Sequence, residues 1–217
     1  MKKFALIFSL FLLTTFSAEA QLSKKATPWQ EGIIILNNEQ VINGEISYDY
    51  FYDVVLHRAD GLISTYTPQQ FISFMYYDEK EDLYHNFVSL DNELNPKYQQ
   101  KAIYEVVLEG KVNYVRKRNK YPTYEPKKGY LANKNRRLNQ HKVAYEYFVQ
   151  YGDRLIKSRR FKQEVLPLML DQEQSLAFYM KENNLKSYQV GDQIELVKYF
   201  NNNADYNPPT ASSRQAR

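Results

Sequence analysis

The side chains of this 217-residue chain whose types could do chemistry are three histidines, one dense acidic cluster and scattered serines. His57, His85 and His141 belong to the residue type that titrates near neutrality and most often ligates metals. No two of them share a helix face, and neither an H-x-x-E nor an H-x-H spacing occurs. Asp78-Glu79-Lys80-Glu81-Asp82 brings four carboxylates together. A calcium loop alternates oxygen ligands around a turn glycine; here there is no glycine and Lys80 sits at the centre, so a solvated hairpin end is expected. A serine nucleophile needs a strained elbow or a partner base, and neither G-x-S-x-G nor S-x-x-K is present. The seven glycines stand singly, so none builds a phosphate-cradling loop. The chain has no cysteine, which removes disulfides, thiolate nucleophiles, Cys-based zinc sites and an N-terminal lipid anchor.

On this reading no catalytic, cofactor-binding or metal-ligating residue is assigned, no cofactor is expected, and the protein is not expected to be an enzyme. Paired-carboxylate glycoside chemistry carries no local motif. The alternative is therefore an enzyme, for example a glycan-directed hydrolase, with a site assembled only in the fold. A pocket lined by several carboxylates, or by His57 with His85, would favour the enzyme. Outward display of residues 111–142 would favour a binding protein.

Charge is the feature above background. Residues 111–142 hold eleven Lys and Arg against the single acid Glu125, whereas residues 45–109 hold twelve acids against four bases. Tyr114, Tyr121, Tyr124 and Tyr130 are interleaved with the basic residues, and charge with stacking is the way polyanions are gripped. Arg116, Lys117, Arg118, Lys120, Lys127, Lys128, Arg136 and Arg137 are the candidate contacts for an anionic envelope polymer or an acidic protein surface. Nucleic acid is not the expected partner after export. The plainer explanation is a solvated loop, or one docked on the chain's own acidic region.

Export is read from the N-terminus. Met1-Lys2-Lys3 is cationic, Phe4–Phe16 is uncharged, and Ser17-Ala18-Glu19-Ala20 ends in the small residues of a cleavage site. The apolar run is shorter than the ~20 residues needed to span a bilayer, so it is read as a secretory signal cleaved after Ala20. The mature chain is expected to be periplasmic or secreted, not a lipoprotein, and to have no transmembrane span.

The elements that must position these side chains are mostly strands. Residues 31–37, 41–50, 53–58, 62–66, 71–77 and 84–90 read as a first antiparallel group. Period-two alternation marks Val41–Tyr50 as half buried, and Asp60-Gly61 between alternating runs is a hairpin signal. Thr67-Pro68-Gln69-Gln70 reads as a single helical turn. A second group comprises 102–108, 111–117, 143–151 and 154–157, with residues 119–141 expected as a basic loop because Pro122, Pro126 and Gly129 interrupt it. The twenty Tyr and twelve Phe fit strand packing better than a sugar-binding platform. The period then changes: a short helix over 161–170 weakened or broken by Pro167, one after an Asp171/Gln174 capping arrangement, and a last one over 192–200.

The run WQEGIIILNNEQVINGEISYDYFYDVVLHRADGLISTYTPQQFISFMYYD resembles the N-terminal part of small exported proteins of unknown function from Bacteroidota. The stretch LAFYMKENNLKSYQVGDQIELVKYFN is similar to their helical end, and the resemblance implies no activity. At fold level the first β group also resembles Sm- or SH3-like small barrels.

The expected class is therefore α+β, mainly β: antiparallel hairpins in a meander, followed by two or three short C-terminal helices. A small barrel plus a second sheet is one arrangement of the strands, and the two β groups are left open as one sheet system or two modules. The expected organisation is a signal peptide (1–20), a first β module (21–98), a second β module (99–160), a helical segment (161–200) and a disordered tail (201–217). The expected function is a non-catalytic exported binding or structural protein of the cell envelope.

Overall fold

The computed structural model describes residues 26–92, 100–126 and 140–203. The expected signal peptide, the centre of the basic loop and the tail beyond Asn203 lie outside these residues. Among the described residues there are ten strands: β1 Gln30–Leu36, β2 Val41–Asp49, β3 Val54–Ala59, β4 Leu62–Tyr66, β5 Phe71–Asp78, β6 Leu83–Asp91, β7 Lys101–Leu108, β8 Val112–Pro126, β9 Gln140–Tyr151 and β10 Arg154–Lys157. They pair as one antiparallel sheet in the order β10-β9-β8-β7-β6-β5-β1-β2-β3-β4. Consecutive strands pair everywhere except between β4 and β5, where the chain returns to set β5 beside β1. Thr67–Gln70 makes that return as a tight turn closed by the Gln70 amide donating to the Thr67 carbonyl at 3.0 Å. The β6–β7 ladder crosses the expected module boundary at 98/99 and unites both groups. The strand order ends at β10 and β4, so the described strands form an open ladder and not a small barrel with a second sheet.

The turns follow local chemistry. Asp60 and Gly61 both have positive φ, at 50° and 76°, as a type I′ hairpin requires. The acidic run does cap the β5–β6 hairpin, where Asp78 Oδ1 accepts from the Lys80 amide at 2.9 Å.

Among the described residues three buried clusters lie along the sheet, one of them formed by Ala102, Tyr104, Val115, Phe148 and Leu155 on β7–β10. Around β1, β2, β3, β5 and β6, the buried Ile34, Ile46, Val55, Phe71 and Phe74 pack together. At the other end Val112, Tyr114, Val149 and Ile156 are covered by the C-terminal segment. Burying each such large side chain contributes about 1.5–3 kcal/mol.

The cover consists of a π-type turn, Phe161–Val165, and three helices: α1 Leu166–Gln172, α2 Ser175–Glu182 and α3 Val190–Asn203. Pro167 does not break a helix. It sits in the first turn of α1, where its missing N–H has no intrahelical role. The expected Asp171/Gln174 cap does not form either: Glu173 accepts from the Ser175 amide at 3.0 Å. Helix α3 is longer than expected and runs into the residues read as tail.

Two amides lock α3 to the sheet. Gln193 Oε1 accepts from Tyr114 at 2.7 Å and Ser158 at 2.9 Å, while its Nε2 donates to the Ser158 and Ser187 carbonyls. Asn201 donates to the Val112 carbonyl at 2.8 Å and accepts from the Val112 amide at 2.9 Å, as a neighbouring strand would. Among the described residues no helix is long and apolar enough to cross a membrane.

Candidate functional site

Strand alternation places Tyr76, His85, Glu105 and Arg116 on one face of four successive strands. The register aligns Tyr76 with His85, Phe87 with Glu105, and Glu105 with Arg116. Strand β2 is not their neighbour in the sheet, yet Tyr48 lies 5.3 Å from Phe87 between ring centroids, and the Arg118 guanidinium stands 4.2 Å over Tyr50. The sheet therefore curls, bringing β2 over β6–β8 and enclosing a cleft of about 300 Å³.

The curl is held by Asp53, in the β2–β3 turn with φ of 59°. The β7–β8 ladder runs no further than the Glu105–Arg116 pair. Past that point Asp53 enters between the strands: it accepts from the Ile103 amide at 3.4 Å, from Lys117 Nζ at 2.8 Å and from the Tyr48 hydroxyl at 3.1 Å.

At the cleft floor Arg116 meets Glu105 through two hydrogen bonds, of 2.7 and 2.6 Å. His85 Nδ1 lies 2.9 Å from Glu105 Oε1, and its ring stacks on Tyr76. Burial raises the Glu105 carboxyl, but the hydrogen bonds from Arg116 and His85 outweigh it and hold the group below the ordinary carboxylate value. Both Glu105 oxygens are thus occupied. Burial also raises the Tyr76 hydroxyl, with the Glu105 charge adding to it, so this phenol stays protonated. His85 Nε2 lies 3.3 Å from Glu81, and Asp78, Glu81 and His85 each offer a ligand atom within 4.8 Å of the other two.

The eight basic candidates separate by position. Arg116 and Lys117 are neutralised internally by Glu105 and Asp53. Arg118 and Lys120 are exposed, Lys120 with its ammonium 6.0 Å over Phe51. Among the described residues Arg118 has no carboxylate within ion-pair distance, and its contact is the Tyr50 ring. Lys127, Lys128, Arg136 and Arg137 lie outside the described residues.

The expected loop 119–141 is strand at both ends: β8 continues to Pro126 and β9 begins at Gln140. Beyond Arg116 strand β8 pairs with β9 alone, and Pro122 falls within an irregularity between Arg118 and Thr123. Proline is tolerated at such a one-sided, bulged position because no ladder donor is missed there.

His57 does not join His85. Its Nε2 meets the Asn43 carbonyl at 3.0 Å, and it does not line the cleft. The side chain of His141 lies outside the described set. The His85–Glu105–Arg116 chain was not anticipated, although a lone carboxylate inside the apolar run Ala102–Leu108 was a usable signal. Comparisons with protein-family models, curated proteins and solved structures returned no match for this chain.

Proposed function

We propose that this is an exported, non-catalytic binding protein of the cell envelope that contacts an anionic partner. Export rests on the N-terminal pattern, with cleavage after Ala20, and the intact mass of the secreted protein tests it: a mass that still includes residues 1–20 refutes cleavage. The observation that carries the binding reading is Arg118, a cation stacked on Tyr50 at the cleft, with no carboxylate partner among the described residues. A guanidinium held flat on an aromatic ring keeps its edge available to a carboxylate, sulfate or phosphate. The strand that bears it, β8, runs on to Pro126, and the sequence that follows carries Lys127, Lys128, Arg136 and Arg137, a run of cations suited to an extended polyanion.

Titration with a sulfated polysaccharide at increasing salt tests this. Affinity is expected to fall steeply with salt, because bound counterions are released on association. Replacing Arg118, Lys120, Lys127 and Lys128 by serine should lower both affinity and salt slope. Unchanged binding by that variant would overturn the proposal.

A glycan-directed hydrolase is the second reading, favoured by the meeting of Asp78, Glu81, Glu105 and His85 at one cleft. Against it, Glu105 is held ionised with both oxygens occupied, which suits it poorly to act as the general acid. Release of reducing ends from acidic glycans, abolished by Glu105→Gln, would decide for the enzyme.

A further inference from the structure

We propose that Asp78, Glu81 and His85 form a binding site for a divalent transition-metal cation of the Zn²⁺ type at the edge of the cleft. The three residues flank the β5–β6 hairpin, and their candidate ligand atoms all lie within 4.8 Å of one another. His85 Nε2 and Glu81 Oε2 are 3.3 Å apart. Two ligands bonded to one tetrahedral zinc at ~2.0–2.1 Å stand about 3.3–3.4 Å from each other, so this pair already has the required separation.

A second observation, from outside the hairpin, points the same way. His85 is only 9% exposed, and its Nδ1 is anchored to Glu105 on β7, which Arg116 on β8 clamps in turn. Among the described residues Nε2 has no partner except Glu81. A histidine held by a carboxylate through one nitrogen, with the other aimed at further donors, is the outer-shell arrangement that orients metal-ligating imidazoles. The nitrogen donor selects borderline cations over Ca²⁺ and Mg²⁺, which prefer all-oxygen sites. Three protein ligands leave a coordination position for water or for an anionic group of a bound molecule. The site does not depend on the polyanion reading, and its test uses the metal alone.

The test uses tag-free mature protein, stripped with chelator, and Zn²⁺ titration at neutral pH by calorimetry. Saturable binding of one equivalent is expected, with Ca²⁺ and Mg²⁺ at least a hundredfold weaker. Glu81→Gln and Asp78→Asn should each weaken Zn²⁺ by at least tenfold at unchanged melting temperature; both lie at the hairpin end, where neither contributes to the core. With three histidines in the chain, nitrogen-resolved imidazole spectra can follow each one. Zn²⁺ should move the Nε2 signal of His85 and leave His57 and His141 unchanged. Absence of stoichiometric binding, retention of full affinity by Glu81→Gln, or perturbation of a different histidine would each overturn the site. In that event Glu81 and His85 are a simple hydrogen-bonded pair.

Discussion

Replacing Glu105 by glutamine should destabilise the protein by about 2–4 kcal/mol at neutral pH. Glu105 accepts three hydrogen bonds, two from the Arg116 guanidinium and one at His85 Nδ1. Glutamine keeps one acceptor oxygen but turns an NH₂ toward a guanidinium that can only donate. At least one charge-assisted bond is lost, worth about 1.5–3 kcal/mol, and Arg116 loses its counterion. Removing one partner of a fully buried pair costs about 3–5 kcal/mol. Arg116 retains 27% side-chain exposure, so water recovers part of that cost. In urea unfolding, with a slope of ~2 kcal/mol per molar, the midpoint should fall by about 1–2 M.

Two controls make the reasoning refutable. Glu105→Gln combined with Arg116→Met removes the unpaired cation and should be less destabilising than the two single losses summed. The folded-state value of Glu105 lies below its ordinary 4.5, so its stabilisation is complete above that value and is lost as pH falls through the folded-state value. The gap between wild type and Glu105→Gln should therefore close in acid. A neutral-pH loss under ~0.5 kcal/mol, or a gap that persists undiminished in acid, would refute this account.

Gln193→Leu should cost about 3–4 kcal/mol, because two hydroxyls and two carbonyls around a residue only 1% exposed lose their shared partner; thermal unfolding checks this, and a near-neutral result would mean that the amide does not tie α3 to the sheet. Gly32→Ala should abolish folding or cost ~3 kcal/mol or more, since a Cβ there would stand 2.2 Å from the Met75 carbonyl oxygen and 2.8 Å from Ile46. Expression yield and circular dichroism report it, and a stable, well-folded Gly32→Ala protein would show that β1 can shift away from β5.

Much of the strand content was legible because its signals are local. The strand over Val41–Asp49, the Asp60-Gly61 turn and the acidic hairpin end each depend on a few neighbouring residues and appear where expected, although Ser47 and Asp49, on the face whose alternation marked it as polar, are buried. The C-terminal change of period likewise announced helices. Two of the misreadings share one cause, which is that proline is ambiguous without its partners. Pro167 reads as a breaker until it is seen in a first helical turn, and Pro122 reads as loop until it is seen on a strand paired from one side only.

The sequence by itself determined the mainly β class, the hairpins, the absence of thiol chemistry and the concentration of positive charge after Lys111. These follow from composition, from period and from the φ preferences of individual residues. Only the tertiary structure decided that both β groups share one curled sheet, that Arg116 and Lys117 are spent on Glu105 and Asp53, and that His85 meets Glu105, twenty residues away along the chain. Those outcomes depend on which strands lie side by side and on how far the sheet bends, and the energies that select them come from contacts between distant residues.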